Sequence, residues 1–470
     1  MTSDNLPIVE KDQMNEQSGE DRATSQHSTI ATFPRDFLWG SATAAHQVEG
    51  NNRNSDWWDW EQAGRCKNAQ RSGDACDQYH RFRDDFALLK ELHQNAHRLS
   101  IEWARIEPRP AEFDRAELDH YRAVLTALRD LGIEPVVTLH HFTIPRWLAQ
   151  RGGWANPDVV RLFTRYVTKV VEELGDLVRY WVTINEPNFF AAAAYLQSQF
   201  PPGQSNPVTL MRVVANLVRA HGHAYHAIHL LYPEARVGVA HHWRLFDPYH
   251  PKRLDRWVAG LRHELFNRAF PRMLVDGVLR FPFGFGQIVP EARDSQDFLG
   301  INYYTREFDR FSIERPFDLF AREVVTTATR DACGAEIYPE GFERTLREAA
   351  QFGKPILVTE NGVADQADEL RPAFLVSHLL ALHHAMQAGV PVIGYLHWTS
   401  LDNFEWNEGY NLRFGLIAVD FATLERRIKP SGHLYAEICR TGSITAEQVN
   451  ATRQFGADSA LSPRIQLKAG

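Results

Sequence analysis

Lys354-Pro355-Ile356-Leu357-Val358-Thr359-Glu360-Asn361-Gly362 is the stretch from which the rest of the chain can be read. Its four apolar or β-branched residues, bounded by Pro355 and Gly362, read as a short buried strand. Glu360 stands at the C-terminal end of that strand, and a Glu is rarely left inside without a partner or a task. Tyr180-Trp181-Val182-Thr183-Ile184 repeats the pattern and ends in Asn185-Glu186-Pro187. A single Glu so placed reads as structural. Two buried strands that each deliver a Glu to their C-terminal ends point to a paired-carboxylate site.

Working outward, six more strand-like segments appear. They are Phe37 to Ala45, His97 to Ile101, Pro135 to Leu139, Arg236 to Ala240, Phe298 to Asn302 and Pro391 to Tyr395. Between them lie stretches with apolar residues at helical spacing. These run from Gln78 to His93, Ala116 to Leu131, Pro157 to Leu174, Leu210 to Leu231, Arg256 to Asp276, Gly341 to Gln351 and Pro372 to Ala388. Eight strands, each but the first preceded by a helix, form a parallel sheet with right-handed crossovers. With no GxGxxG or GxxxxGK after any strand, a closed barrel fits better than an open nucleotide-binding sheet. The expected fold is therefore α/β, a single (β/α)8 TIM barrel with long βα loops, spanning residues 31–440. Residues 1–30 read as a disordered polar leader and 441–470 as a C-terminal extension. Long loops are expected at 186–210, 280–296 and 303–338.

Composition narrows the functional classes. The 470 residues carry a net charge of −8 and no basic run, which argues against nucleic acid and anionic membranes as partners. No apolar stretch approaches the roughly 20 residues needed to span a bilayer, and no signal-peptide core precedes Phe33. A cytoplasmic protein is expected, with Cys66, Cys76, Cys333 and Cys439 reduced. The histidine pairs 140–141, 241–242 and 383–384 do not make a chelating cluster, because neighbours on a strand point to opposite faces. No HExxH or CxxC spacing occurs, so neither a metal nor a cofactor is expected.

Polar and aromatic residues collect at the C-terminal ends of the strands: Gln47, Arg98, His141, Asn185, Glu186, Asn302, Tyr304, Glu360 and Trp398. The loop after the last strand adds Glu405 and Trp406. Each has a bland reading taken alone: Trp398 as core, Arg98 as an ion pair, His141 as a satisfied buried histidine, Asn185 and Asn302 as loop caps. Their common placement suits a polyhydroxylated ligand, since indole faces cover sugar C–H groups while amides and carboxylates bind hydroxyls.

These segments resemble glycoside hydrolase family 1, the β-glucosidase and β-galactosidase family, from Phe33 to about Ser431. The resemblance is carried by FPRDFLWGSATAAHQVEG, HRLSIEWARIEP, VTLHHFTIPRWL, WVTINEP, DFLGINYYT, PILVTENG, GYLHWTSLDNFEW and RFGLIAVD, in family order. It implies a retaining exo-β-glycosidase acting on β-glucosides or short oligosaccharides, with β-galactosides and β-fucosides as further substrates. By position Glu186 matches the general acid/base and Glu360 the nucleophile. Arg98 and Tyr304 match the pair that contacts the nucleophile, with Asn302 beside them. Gln47, His141, Asn185, Trp398, Glu405 and Trp406 match the residues that hold the non-reducing sugar. A transglycosylating member and a non-catalytic sugar-binding barrel are the alternatives. Two departures concern the leaving-group side: Asn188 follows NEP where an aromatic is common, and Ala335 stands where an indole is usual. Glu405-Trp406 in place of a phosphate-binding loop implies unphosphorylated sugars.

Overall fold

The computed structural model describes residues 28–453. Residues 1–27 of the expected leader and 454–470 of the expected extension lie outside the described residues. Eight parallel strands close on themselves: β1 (Leu38–Ala42), β2 (Ala96–Ser100), β3 (Glu134–Thr138), β4 (Tyr180–Asn185), β5 (Arg236–Pro248), β6 (Phe298–Phe311), β7 (Ile356–Asn361) and β8 (Val392–Trp398). Closure is made by β8 pairing with β1 through Tyr395↔Trp39 and its neighbours. The main helices around the barrel are α1 (Gln78–Glu91), α2 (Arg115–Asp130), α3 (Val159–Leu174), α4 (Pro207–Leu231), α5 (Arg253–His263), α6 (Pro339–Ala349), α7 (Arg371–Gln387) and α8 (Pro430–Thr441). The molecule is a (β/α)8 barrel, as its alternating periodicities imply.

Helix starts follow local chemistry. The Asp114 carboxylate accepts from the Ala116 and Glu117 N–H groups to start α2. The Asn206 side chain does the same for Val208 and Thr209, with Pro207 at the first helical position of α4. Inside the barrel, Ala96, Val136, Val182, Ala240, Phe298, Leu357 and Leu396 form a separate apolar plug, one residue from each of seven strands. That plug floors the site above it.

Three segments depart from expectation. Residues 186–210, expected as a loop, contain the helix Pro187–Tyr195. Its run of alanines at 191–194 has high helix propensity but no apolar period to betray it. The Arg256–Asp276 stretch is broken: α5 passes through a π turn at Glu264–Arg268 into a second helix, Ala269–Asp276. Residues 280–296 precede a strand rather than follow one, so they sit at the barrel end away from the site. Both β5 and β6 run on past the barrel as a paired ribbon, with Ala321–Glu323 added antiparallel to β6.

Candidate active site

The C-terminal strand ends converge on two glutamates. Simple alternation would aim Glu360 the wrong way, because Leu357 points into the barrel while Ile356 and Val358 pack outward against the helices. A register shift between Val358 and Glu360 in the β6–β7 ladder breaks the alternation and brings the carboxyl inward. A second shift, between Val182 and Asn185 in the β4–β5 ladder, does the same for Asn185. Glu186 follows with φ of 46°, a left-handed conformation unusual for a residue bearing a Cβ.

Arg98, wholly buried and in mid-strand, organises the floor. Its Nη1 donates to Glu360 Oε1 at 2.5 Å, its Nη2 to Asn185 Oδ1 at 2.7 Å and its Nε to Thr138 Oγ1 at 2.9 Å. The Tyr304 hydroxyl donates to Glu360 Oε2 at 2.7 Å, so both Glu360 oxygens are held. Asn302 accepts from Thr359 Oγ1 at 2.6 Å, which orients its amide N–H groups toward Glu186 Oε1 (2.9 Å) and Asn185 Oδ1 (3.1 Å). One hydrogen-bonded chain thus links the two glutamates through Arg98, Asn185 and Asn302.

The remaining predicted residues form the adjoining wall. Gln47 Nε2 donates to Glu405 Oε2 at 3.1 Å and to Asn403 Oδ1 at 3.0 Å, while its Oε1 is buried with no partner among the described residues. Asn185 Nδ2 donates to His141 Nε2 at 3.1 Å, which puts the ring proton on His141 Nδ1, also buried and unpartnered. The His141 ring lies near-parallel to both Trp398 and Trp406, at 5.9 and 6.0 Å. Trp398 also hydrogen-bonds Glu405. The eleven candidate polar and aromatic residues therefore lie in one cluster, buried except for the half-buried Tyr304 and Glu405.

His242 was missed. It follows Ala240 on the inward face of β5, and its Nδ1 lies 2.9 Å from Glu186 Oε1. In the sequence its histidine pair stands out only as a possible chelator. The signal available was the rule that found the others: a titratable side chain at the end of a buried strand.

Charge is distributed in an unexpected way. Burial, reinforced by the charge of Glu186, lifts Glu360 to about 7 against the pull of Arg98 and Tyr304. Burial lifts Glu186 too, but His242, Asn302 and Arg98 outweigh it and hold the carboxyl below its ordinary range. An acid/base role for Glu186 calls for the reverse division, with the proton on Glu186 and Glu360 ionised. The donors on Glu186, His242 first among them, account for the difference. Burial and then Glu360 push Glu405 up to about 8, and burial holds His141 well below the usual histidine range. Among the described residues, no group of three or more His, Cys, Asp or Glu side chains could hold a metal ion. No helix among them is long and apolar enough to cross a membrane, and all four cysteines are unpaired.

Two buried carboxyls with separate sets of donors, at the mouth of a parallel barrel lined by amides and indoles, are the equipment of a carbohydrate-cleaving enzyme. The chain belongs to glycosyl hydrolase family 1, whose sequence model matches residues 29–443. It is 33% identical to "Beta-glucosidase A" of Acetivibrio thermocellus over 88% of this chain and 99% of that one. It is 30% identical to "Beta-galactosidase" of Pyrococcus woesei over 88% of this chain and 98% of that one. Among solved structures, the "beta-glycosidase from Pyrococcus horikoshii" superposes with a TM-score of 0.84 at 37% identity, covering 90% of this chain and 98% of that chain.

Proposed function

We propose that this chain is a cytoplasmic retaining exo-β-glycosidase of the β-glucosidase type, releasing terminal β-D-glucosyl units from small glycosides or short oligosaccharides. β-Galactosides and β-fucosides are further substrates, the first in keeping with the "Beta-galactosidase" name of one relative. The observation that carries the reading is the unequal dressing of the two glutamates. Glu360 has both oxygens held, one by a guanidinium, whereas Glu186 Oε2 has no hydrogen-bond partner among the described residues.

In the first step a Glu360 oxygen forms a bond to the anomeric carbon. The C–O bond to the leaving group breaks, and its electron pair takes the proton carried by Glu186. In the second step water attacks the same carbon, the ester to Glu360 breaks, and the water proton passes to Glu186. The resting charge distribution differs from the working one only in where the pair's single proton sits. Positive charge developing on the sugar beside Glu360 favours its ionised form and drives that proton to Glu186. Gln47 Oε1, His141 Nδ1 and Glu405 are polar groups placed to bind sugar hydroxyls, with Trp398 and Trp406 beside them.

Two inversions release the β-anomer. Proton NMR of a β-glucoside digest, recorded within minutes, should show β-glucose first, and initial α-glucose would overturn the double displacement. With azide added, Glu186→Ala should convert an activated glucoside to the β-glucosyl azide.

A further inference from the structure

His242 is absent from the set of residues assigned above, yet it touches the proton-transferring carboxyl directly. Its Nδ1 lies 2.9 Å from Glu186 Oε1, the same oxygen that accepts from Asn302 Nδ2. Both hydrogen bonds fall on one oxygen, which leaves Oε2 to face the site. The imidazole is itself fixed on every side. It lies near-parallel to Phe189 at 5.2 Å and to Tyr304 at 6.0 Å, and meets Phe266 edge-on at 5.5 Å. Its backbone carbonyl accepts from Asn188 Nδ2 at 2.7 Å, and the same amide also donates to the Phe266 carbonyl. Asn188 therefore pins His242 and the π turn together instead of presenting an aromatic face.

The ring's far side settles its tautomer. Arg244 Nη2 lies 3.5 Å from Nε2, and a guanidinium can only donate. Nε2 accepts, so Nδ1 carries the proton and donates to Glu186. Arg244 is held in turn by Glu307, which also accepts from Arg262 at 2.8 Å; Arg262 continues to Asp309. This ion-pair chain runs along the β5–β6 ribbon beyond the barrel and ends at the acid/base carboxyl.

We propose that His242 is a positioning residue for Glu186: its Nδ1–H occupies Oε1 and reserves Oε2 as the oxygen that gives and takes the proton. The inference rests on the acid/base reading of Glu186. A second consequence follows from the same bond. A donor on Oε1 favours the carboxylate, so His242 lowers the pH at which Glu186 gives up its proton. The other groups bearing on Glu186 are Arg98 from β2, Asn302 and Tyr304 from β6, Glu360 from β7 and Glu405 from the loop after β8. None of them occupies the place of the imidazole N–H.

Two substitutions separate the hydrogen bond from the packing. His242→Phe keeps a ring between Phe189 and Tyr304 and removes the donor. His242→Asn removes the ring and keeps an N–H close to the Nδ1 position. The readout is the basic limb of kcat against pH on phenyl β-glucoside, which reports the substrate complex, where the proton sits on Glu186 and the leaving group needs it. His242→Phe should move that limb up by about one pH unit, a tenfold change in the ionisation constant, while His242→Asn leaves it within about 0.3 unit of wild type. A Phe variant with the wild-type limb, or an Asn variant displaced as far as the Phe variant, overturns the proposal. Glu186→Gln, assayed on an activated dinitrophenyl glucoside, is the control. If its basic limb persists, the acid/base reading itself falls and the role of His242 with it. If that limb vanishes while His242→Phe leaves the wild-type limb in place, only the role of His242 falls.

Discussion

Three carboxyls, Glu186, Glu360 and Glu405, share one buried space and compete for its charge. Glu186 and Glu360 titrate as a pair, and the working state holds one proton between them. On the proposed roles, falling pH gives the pair a second proton and removes the nucleophile; rising pH takes the last proton and leaves the leaving group without its acid. Because burial lifts Glu360 to about 7, the last proton should leave near neutrality, and kcat/KM should fall above about pH 7 with the optimum on the acid side. A basic limb above pH 9 would contradict this distribution. Glu405, pushed up to about 8, still carries its proton at the optimum and can both donate to and accept from hydroxyls. Glu405→Ala should lower kcat/KM by roughly 10²–10³-fold, as for loss of one group that hydrogen-bonds the transition state. Unchanged kcat/KM on nitrophenyl glucoside would remove Glu405 from the sugar site.

At the scale of elements, the site depends on how β7 meets β8. Gly362, directly after β7, approaches the β8 end so closely that a Cβ there would sit 1.9 Å from the Trp398 carbonyl oxygen. Backbone cannot yield as a flexible side chain can. Gly362→Ala should cost about 1–3 kcal/mol of stability, on the scale of overpacking a filled site, and should displace Trp398. Chemical denaturation and kcat/KM should therefore fall together. A variant with normal stability and activity would show that the two strands part at no cost. The β7 register shift belongs to this scale too, since it alone turns Glu360 from the outward face to the inward one.

At the scale of the molecule, the described chain ends are joined to each other. Strand Thr29–Thr32 pairs antiparallel with Ser443–Thr445, and helix Ala446–Arg453 packs against α7. Ile444 and Val449 are buried there, and apolar side chains of that size contribute roughly 1.5–3 kcal/mol each when fully buried. Ending the chain after Thr441 should lower the melting temperature by several degrees and leave kcat per folded molecule unchanged, because no site residue lies in that segment. Thermal unfolding followed by circular dichroism, with titrated active sites, would check both halves.

The sequence by itself determined the barrel. Eight short β-branched runs alternating with amphipathic helices carry their own periodicity, and each run announces its strand without knowledge of its neighbours. It also pointed to Glu186, Glu360 and the polar residues around them, since charged and amide groups at the ends of buried strands are conspicuous in one dimension. Only the tertiary structure decided which way those residues face. The inward aim of Glu360 comes from a bulge that a pattern of two cannot register, and that bulge exists only in the ladder with the neighbouring strand. The same holds for charge. Glu186 is governed by His242, a residue 56 positions away in sequence whose imidazole reaches it across the β4–β5 boundary. Electrostatic coupling depends on distance through space, and sequence separation carries no trace of it.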